Sequence, residues 1–411
     1  MIVTDAADAT EPWLYSERYL TNGTRNYSPF SAINEVDKDY LPETGRDRFL
    51  VECVTLSPPM LAKFVSTYHS LADSLRDLYV NREGAIRFPI HPSTLLRAPW
   101  KEMSENRNSE LTLLVSPTAS TRTVFVHSSN DDAGSHLPHF VKLHFPGRIS
   151  RFTRQLSQLD VEAQLWVSQE LQNFGAPHLP DVAGGYVELL DGSSTGFILR
   201  SCVPNCSADS ARYIVPTFAL YGGDARAPND PPLLAQLPSL FDEDPLDFIA
   251  SRIVKPAVRL WVSTVRSLGI LPELHGQNLL FGFDHHTQKS ALIMRDSDMY
   301  VDTTIRSDLN LPLPPPLQLL ESENLQQNRV GFLSLCYDGF LGQNLLEKIA
   351  ESAWLHLGVR RDALISHAVE EFNAAGGDDI GFDQRVFYYG DRLHDGTAFT
   401  LSERAAHPTW R

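Results

Sequence analysis

The chain has 411 residues, of which 42% are hydrophobic and 21% charged, a composition typical of a folded protein and not of a disordered or collagen-like one. Its length suffices for about two or three lobes around a buried core. The 51 acidic residues outnumber the 35 basic residues and give a net charge of −16. This charge excludes broad attraction to nucleic acid or to an anionic membrane, so an anionic substrate would require a local basic pocket.

Cysteine content and hydropathy further narrow the class of protein. The cysteines, Cys53, Cys202, Cys206 and Cys336, are too few and too scattered for a disulfide scaffold, and no second pair completes a zinc site. We therefore interpret them as reduced thiols. Residues 1–13 lack the basic and apolar segments of a signal peptide, and no apolar run reaches the length of a membrane span. These features predict a soluble, cytoplasmic protein.

The predicted elements begin with polar, turn-rich sequence over the first 50 residues, which favours loops packed against another part of the chain. From Leu61 to Leu78, apolar residues recur every three or four positions, which predicts one amphipathic helix. Residues 111–115 and 123–126 predict two strands joined by a Ser/Thr-rich connection. Alternation around Lys142 predicts a further, half-buried strand with this lysine on its polar face.

The rest of the sequence has a mostly helical pattern. One long helix over 249–268 is predicted to bend at Pro256 and to end at Gly269. The Pro-rich residues 312–316 predict a linker or a surface crossing. The other predicted elements are helices over 156–171, 332–357 and 362–372, a strand over 197–199, a loop over 225–245 and a hairpin over 278–283 and 291–294. We therefore predict an α+β fold with a β-rich middle and a mainly helical C-terminal lobe.

Polar side chains cluster on one short segment after the long helix. Glu273, His275, Gln277 and Asn278 fall within this segment, and Asp296 follows the next predicted strand. Carboxylates and a carboxamide that meet across a hairpin are suitable ligands for Mg²⁺ beside nucleotide phosphates. The pattern thus favours magnesium over zinc. The alternative is that the histidine and asparagine cap a turn while the aspartate caps a loop.

Hydroxyl and basic side chains gather in the β-rich region. The segment 120–123, Ser-Thr-Arg-Thr, offers hydroxyl and backbone N–H groups to phosphate oxygens. Lys142 supplies a point charge, and Arg154 offers a fork that suits a carboxylate or a phosphate. In an acidic protein these cations, together with Arg148, predict an anion pocket. The alternative is that they are exposed and only keep the strands soluble.

Taken in chain order, these segments resemble the IucA/IucC family, the siderophore synthetases that use no nonribosomal peptide template. The motifs that carry the resemblance are Pro89-Ile90-His91-Pro92, Thr118 through Thr123, Lys142-Leu143 with Arg154, Gly196-Phe197-Ile198-Leu199-Arg200, Glu273 through Leu280, and Arg295-Asp296. They lie between about residues 85 and 300, and their order makes the resemblance more specific than any single motif.

The resemblance implies an ATP-dependent ligase that activates a carboxylate of citrate or a related polycarboxylic acid as an acyl-adenylate. An amine, hydroxylamine or alcohol then attacks to give an amide or ester. It also implies a cupped-hand architecture, in which a fingers-like β-rich region faces a palm-like helical lobe, and it makes a homodimer a reasonable assembly. The corresponding regions are a shortened N-terminal part (1–108), an ATP-phosphate-binding part (109–215) and the palm-like lobe (216–411).

Residue roles follow from the same resemblance. Arg154 and His275 would hold the carboxylate substrate and the developing acyl-phosphate charge. The residues implied for ATP are Ser120, Arg122, Thr123, Lys142, Gln277 and Asn278, and those implied for Mg²⁺ are Glu273, Asn278 and Asp296. Two cations and Mg²⁺ would offset the repulsion between the two anions that adenylation brings together.

One departure from the family pattern and one further similarity keep other functions open. The family's N-terminal Gly-His-Pro pattern before His91 has no counterpart here, so we expect part of the ATP site to be missing or supplied by another chain. One alternative is therefore a non-catalytic or partner-dependent protein that binds nucleotide or polycarboxylate. The other is a kinase-like small-molecule phosphotransferase, since residues 273–278 with a later Asp296 are also similar to a kinase catalytic loop. Against it, Glu273 replaces the usual catalytic aspartate and no Gly-rich phosphate loop occurs early in the chain.

Overall fold

The computed structural model describes most of the chain. The described residues are 10–21, 33–56, 62–95, 100, 111–130, 137–150, 152–189, 192–205, 211–314, 329–385, 388–392, 398–402 and 407–411.

An antiparallel sheet of eight strands organises the first half of the protein. Its spatial order is β2-β9-β10-β6-β5-β4-β1-β3, and every neighbouring pair runs antiparallel. The strands are β1 (Phe49–Leu56), β2 (Ala62–Ser66), β3 (Ile86–Ile90), β4 (Leu111–Pro117), β5 (Thr123–Ser129), β6 (His139–Lys142), β9 (Asp181–Glu188) and β10 (Ser194–Ser201). Two short strands, β7 (Phe145–Ile149) and β8 (Phe152–Arg154), pair with each other beside it. The sheet therefore takes strands from both sides of the predicted division at residue 108.

Helices cover this sheet and build the second half of the chain. In chain order they are α1 (Thr10–Tyr19), α2 (Leu71–Tyr79), α3 (Pro92–Leu95), α4 (Gln158–Phe174), α5 (Phe218–Tyr221), α6 (Leu233–Leu240), α7 (Pro245–Ile249), α8 (Lys255–Leu268), α9 (Thr303–Asp308), α10 (Arg329–Ser334), α11 (Glu347–Leu357) and α12 (Arg361–Ala374). The stretches Ala250–Val254 and Leu335–Leu346 are π-helical and continue α7 into α8 and α10 into α11. The main apolar core lies among these C-terminal helices, whereas a second core fills one side of the sheet.

Local sequence explains where the helix beside the site begins and ends. The Ser157 hydroxyl accepts a hydrogen bond from the backbone N–H of Asp160, and the Asp160 carboxylate accepts one from the backbone N–H of Ser157, so a capping box starts α4. Gly175 ends the helix in the left-handed conformation, with φ of 77°, which glycine adopts at little cost. Apolar residues of α4 then pack on β9 and β10 around Tyr186 and Ile198.

A smaller sheet carries the hairpin predicted near the polar segment. Its order is β11-β13-β14, with β11 (Tyr213–Pro216), β13 (Leu279–Asp284) and β14 (Lys289–Met294). Short pairs are formed by β12 (Ile270–Leu271) with β15 (Tyr300–Val301) and by β16 (Tyr388–Arg392) with β17 (Ala398–Ser402). The α+β class is confirmed, as are the long helices and this hairpin.

Three predictions about local structure are wrong. Residues 10–19, predicted as loop, form helix α1, whose apolar side chains pack between the two sheets. The single helix predicted from Leu61 is a strand, β2, followed by α2, because pairing with β9 at the sheet edge overrides the helical spacing. The predicted loop over 225–245 contains α6, which buries Leu233, Leu234 and Leu237. Residues 22–32, 61 and 315–328 lie outside the described residues, so the predictions there stay untested.

Lys142 is also placed differently from the prediction. Its side chain is only 2% exposed, because β6 is central in the sheet and the ammonium points toward α4 and the hairpin instead of solvent. A lysine is buried this completely only when charged or polar partners replace water. The residues around it form the candidate site.

Candidate functional site

A cleft open to solvent lies where the large sheet meets the β13–β14 hairpin, with about 340 Å³ of empty space when its open mouth is included. Its lining is predominantly polar: Thr118, Ser120, Thr123, Phe140, Leu179, Arg200, Gln277, Asn278, Arg295 and Asp296. The cleft thus combines the two predicted motifs, which are far apart in sequence. Of the predicted site residues, Ser120, Thr123, Gln277, Asn278 and Asp296 line it directly.

The hydroxyl-rich segment is a tight turn between β4 and β5. The Thr118 hydroxyl donates to the Thr123 carbonyl (2.7 Å), and the Ser120 hydroxyl accepts from the Thr123 N–H (3.0 Å). Thr121 has φ of 62°, which is sparsely populated by a β-branched residue. Such a conformation persists only where the surroundings impose it, and it is typical of ligand-binding segments.

Lys142 and Asp296 form the centre of an ion-pair network. Lys142 Nζ donates to Asp296 Oδ1 (2.6 Å) and to Gln164 Oε1 (2.7 Å). Arg200 approaches the same Asp296 oxygen (3.4 Å) and is held by Asp181, which is fully buried, through two further bonds of 2.6 and 3.2 Å. Two cations thus converge on one carboxylate oxygen.

The network sets the charge state of the Asp296 carboxyl. Burial alone would raise its pKa, but the charges of Lys142 and Arg200 and the lysine hydrogen bond outweigh burial and hold the pKa well below its ordinary range. Asp296 also has φ of 72°, an uncommon backbone conformation for this residue. For the neighbouring Asp298 carboxyl, desolvation and the charge of Asp296 raise the pKa, although the charge of Lys142 acts in the opposite direction.

The segment 273–278 forms a turn that is hydrogen-bonded to Arg295, directly after the β13–β14 hairpin. The backbone N–H of Arg295 donates to the Asn278 carbonyl (2.8 Å), and Arg295 Nε donates to the Gln277 carbonyl (2.6 Å). A Cβ at Gly276 would lie 2.3 Å from the hydroxyl of Tyr221 and 3.0 Å from Phe218 Cβ, so a side chain there would force these neighbours to move. Gln277 and Asn278 of this turn line the cleft.

His275 is neutral at neutral pH. Its ring is 8% exposed, and burial lowers its pKa to about 4. Nδ1 accepts from the backbone N–H of Gln277 (3.2 Å), so the ring proton is on Nε2. The ring packs on Phe340, with centroids 5.5 Å apart. His275 can therefore act as a neutral hydrogen-bond donor, as a carboxylate or a developing oxyanion requires.

The two arginines predicted for anions lie at the side of the cleft. Arg122 is 7% exposed and donates through one nitrogen to the carbonyls of Arg154 and Gln155 (2.9 and 3.4 Å). Burial, reinforced by the charge of Arg154, lowers the pKa of Arg122 to about 10, so it stays charged at neutral pH. Arg154 Nε donates to the Ile149 carbonyl (3.2 Å), and its charge acts on His275. Neither is among the residues that line the cleft.

The predicted magnesium ligands are brought together only in part. Asn278 and Asp296 line the same cleft and offer a carboxamide and a carboxylate oxygen, the hard donors that Mg²⁺ takes. Glu273 is on the same turn but does not line the cleft, and its charge acts on Cys336 instead. Within the described ranges, no group of three His, Cys, Asp or Glu side chains is arranged to hold a metal ion. The two remaining ligands fit an ion that is completed by water and phosphate oxygens.

Sequence analysis missed several residues of the site. Arg200 and Arg295 line the cleft, although they were identified only as part of the family motifs. Their position at the end of an apolar strand was a usable signal, because a strand end is where a buried side chain can reach a cleft. Glu17 and Asp181, which hold these two arginines, gave no local signal.

Comparison with known proteins gives structural matches only. No protein-family model and no curated protein sequence matches the chain. The petrobactin biosynthesis protein AsbB from Bacillus anthracis str. Sterne superposes with a TM-score of 0.71 at 12% identity, over 98% of this chain and 75% of AsbB. The fold of this chain is that of the IucA/IucC synthetases.

Two aerobactin synthetases from a hypervirulent pathotype of Klebsiella pneumoniae share this synthetase fold. ATP-bound IucA matches with a TM-score of 0.62 at 13% identity, over 90% of this chain and 72% of IucA. IucC matches with a TM-score of 0.59 at 13% identity, over 88% of this chain and 73% of IucC. The resemblance inferred from the motifs is thereby confirmed at the level of fold.

Two further features of the structure concern membrane-spanning helices and the cysteines. Within the described residues, no helix has the length and apolar character needed to cross a membrane. Within the described part of the chain, Cys53, Cys202 and Cys336 form no disulfide bond, and Cys206 lies outside it.

Proposed function

We propose that this protein is an ATP-dependent ligase that activates a carboxylate as an acyl-adenylate and joins it to a nucleophile. The carboxylate attacks the α-phosphorus of ATP and releases pyrophosphate. The amine, hydroxylamine or alcohol then attacks the acyl carbon, loses a proton, and releases AMP. The acid we propose is citrate or a related polycarboxylic acid, as in siderophore biosynthesis.

One observation carries this proposal. The fold shared with ATP-bound IucA brings the hydroxyl-rich turn, the Lys142–Asp296–Arg200 network and the 273–278 turn around one cleft. Adenylation places a carboxylate beside a polyphosphate, so the site must supply positive charge that is fixed before the substrates arrive. Lys142 and Arg200 provide that charge, and their burial strengthens it relative to water.

The residues divide into two tasks under this proposal. Ser120 and Thr123 orient phosphate oxygens through their hydroxyl and backbone groups, while Lys142 and Arg200 offset the charge. His275 donates from Nε2 to the acid or to the oxyanion of acyl transfer. Asn278 and Asp296 would hold Mg²⁺, which when bound polarises phosphate oxygens and neutralises the leaving pyrophosphate.

A nucleotide-product assay tests the proposal. Purified protein is incubated with ATP, Mg²⁺ and a panel of citrate-like acids, with and without hydroxylamine as nucleophile, and AMP is resolved from ADP. The proposal requires AMP and pyrophosphate that depend on the acid. ADP together with a phosphorylated acceptor would identify a phosphotransferase, and ATP binding without turnover would identify a binding protein.

Matched variants connect the activity to the cleft. Lys142→Met removes a buried cation that is paired with the cleft residue Asp296, whereas Lys255→Met removes a lysine of α8 whose partner, Glu370, is mostly exposed. We expect acid-dependent AMP formation to fall at least about tenfold in the first, from the loss of a charged hydrogen bond, and to be unchanged in the second. Equal activity in both would place the reaction elsewhere.

A further inference from the structure

Glu17 is a buried carboxylate at the edge of the candidate site, on a helix that no motif points to. Its side chain is fully buried in α1, and it accepts hydrogen bonds from three different segments of the chain. Oε1 accepts from Trp13 Nε1 (3.2 Å) and from Arg295, while Oε2 accepts from the backbone N–H of Ala119 (3.2 Å) and from Arg295 Nη2 (3.4 Å). Both carboxylate oxygens are thus fully used.

These partners connect the two halves of the cleft. Ala119 belongs to the 118–123 turn of the large sheet, whereas Arg295 directly follows β14 of the hairpin. Arg295 continues the connection, because its Nε donates to the Gln277 carbonyl in the 273–278 turn (2.6 Å). One carboxylate therefore joins the phosphate-binding turn to the turn that carries His275.

The helix that carries Glu17, α1, packs against residues that line the cleft. Trp13 packs its ring on Phe140, with centroids 5.1 Å apart, and Phe140 lines the cleft. Trp13 and Leu14 belong to an apolar cluster that also includes Leu179, another lining residue. Glu17 is consequently fixed in position before any ligand binds.

A fully buried carboxylate in this place costs desolvation, and a hydrophobic contact between α1 and the sheets would avoid that cost. The Glu17 carboxylate is suited to its partners, because its two oxygens can accept from both guanidinium nitrogens of Arg295 and from the Ala119 N–H at the same time. Arg295 in turn adjoins Asp296, on which Lys142 and Arg200 converge. Displacement of Arg295 would therefore move the central carboxylate of the network.

We infer that Glu17 is a positioning residue that holds the 118–123 turn and the 273–278 turn in register, so that α1 is part of the ATP site. This inference rests on the proposed function for its effect on ATP. Under this inference, the N-terminal region contributes to the ATP site through Glu17. The sequence pattern predicts only loops in this segment.

The test compares Glu17→Gln with Glu170→Gln. In Glu17→Gln, the amide group presents a donor to Ala119 N–H or to Arg295, so one connection is broken without a change in size. Glu170 is the matched control, because it binds the buried Arg306 (2.5 Å), whose other nitrogens donate to backbone carbonyls, and it does not line the cleft. Glu17→Asp keeps the charge but is shorter by one methylene, and it serves if the glutamine variant does not fold.

Two readouts separate the outcomes. Hydrogen exchange, measured on protein without nucleotide, should be at least about tenfold faster at the amides of residues 119–123 in the Glu17 variants than in wild type or Glu170→Gln. The Kd for ATP, measured by calorimetry, should rise about tenfold in the Glu17 variants alone. Unchanged exchange in this turn, or equal acceleration in the control, overturns the inference. Faster exchange with an unchanged Kd shows that Glu17 holds the turn only structurally, and also overturns it.

The measurements show which of the two proposals has failed. If wild-type protein binds ATP but forms no AMP, the ligase proposal falls, and the exchange rates together with the Kd for ATP still decide the role of Glu17. If wild-type protein binds no ATP, both proposals fall, because α1 then belongs to no ATP site. If wild type forms AMP and the variants retain full affinity and full protection, the ligase proposal stands and the role of Glu17 is refuted.

Discussion

Replacement of Lys142 by methionine tests the ion-pair network at its centre. The ammonium is 2% exposed and donates to Asp296 (2.6 Å) and to Gln164 (2.7 Å). Removal of one partner from a fully buried pair costs about 3–5 kcal/mol. Here Arg200 still contacts the same Asp296 oxygen at 3.4 Å, and the aspartate side chain is 24% exposed to water. We therefore expect Lys142→Met to lower the free energy of unfolding by about 2–3 kcal/mol.

Equilibrium urea denaturation at pH 7 measures this loss. Lys255→Met is the control, because its pair with Glu370 is 28% and 67% exposed, and its change should be within about 0.5 kcal/mol. A double-mutant cycle with Asp296→Asn should give a coupling of about 1–2 kcal/mol between Lys142 and Asp296. The reasoning is refuted if Lys142→Met costs no more than the control, or if the coupling is below about 0.3 kcal/mol.

Three other predictions concern the same cleft. Because burial lowers the pKa of His275 to about 4, NMR of the imidazole nitrogens should show it neutral from pH 5.5 to 8, and a titration near the ordinary pKa of about 6.5 would contradict this. Asp296 has a depressed pKa in the folded protein, so its stabilising effect is complete above the ordinary pKa of about 4 and is lost as pH falls further. Between about pH 5 and 3 the wild type should accordingly lose more stability than Asp296→Asn, and parallel urea midpoints would show that the network does not depress this pKa. Gly276→Ala should cost about 1–3 kcal/mol in thermal or urea unfolding, because the added Cβ meets the Tyr221 hydroxyl at 2.3 Å, and a neutral effect would mean that the turn has room to shift.

Much of the fold could be predicted because helices and hairpins depend on short-range patterns. The spacing over 249–268 gave the long helix, and Gly269 ends it in the left-handed conformation with φ of 61°. The hairpin of β13 and β14 followed from two apolar runs around a polar turn. The same reasoning failed at β2, where spacing alone favours a helix but the sheet edge supplies the pairing partner.

The site was predictable in its residue types but not in its contacts. The order of the motifs correctly indicated the synthetase fold and selected Ser120, Thr123, Gln277, Asn278 and Asp296, all of which line the cleft. The alternation of polar and apolar residues placed Lys142 on a polar strand face. Alternation cannot show that a helix and a hairpin will cover that face. The resemblance also grouped Glu273 with the metal ligands, whereas this residue is not among those that line the cleft.

The sequence by itself determined the long helices and the hairpin of the second half, the chemistry of the two motifs and the family resemblance, because each depends on residues that are close along the chain. Only the tertiary structure decided which charges meet. Lys142 and Asp296 are 154 positions apart, and Glu17 and Arg295 are 278 positions apart, so no local pattern joins them. These pairings arise when the apolar faces of α1, the large sheet and the hairpin are buried together, which excludes water and leaves each charge to be balanced by whichever partner the packing brings to it.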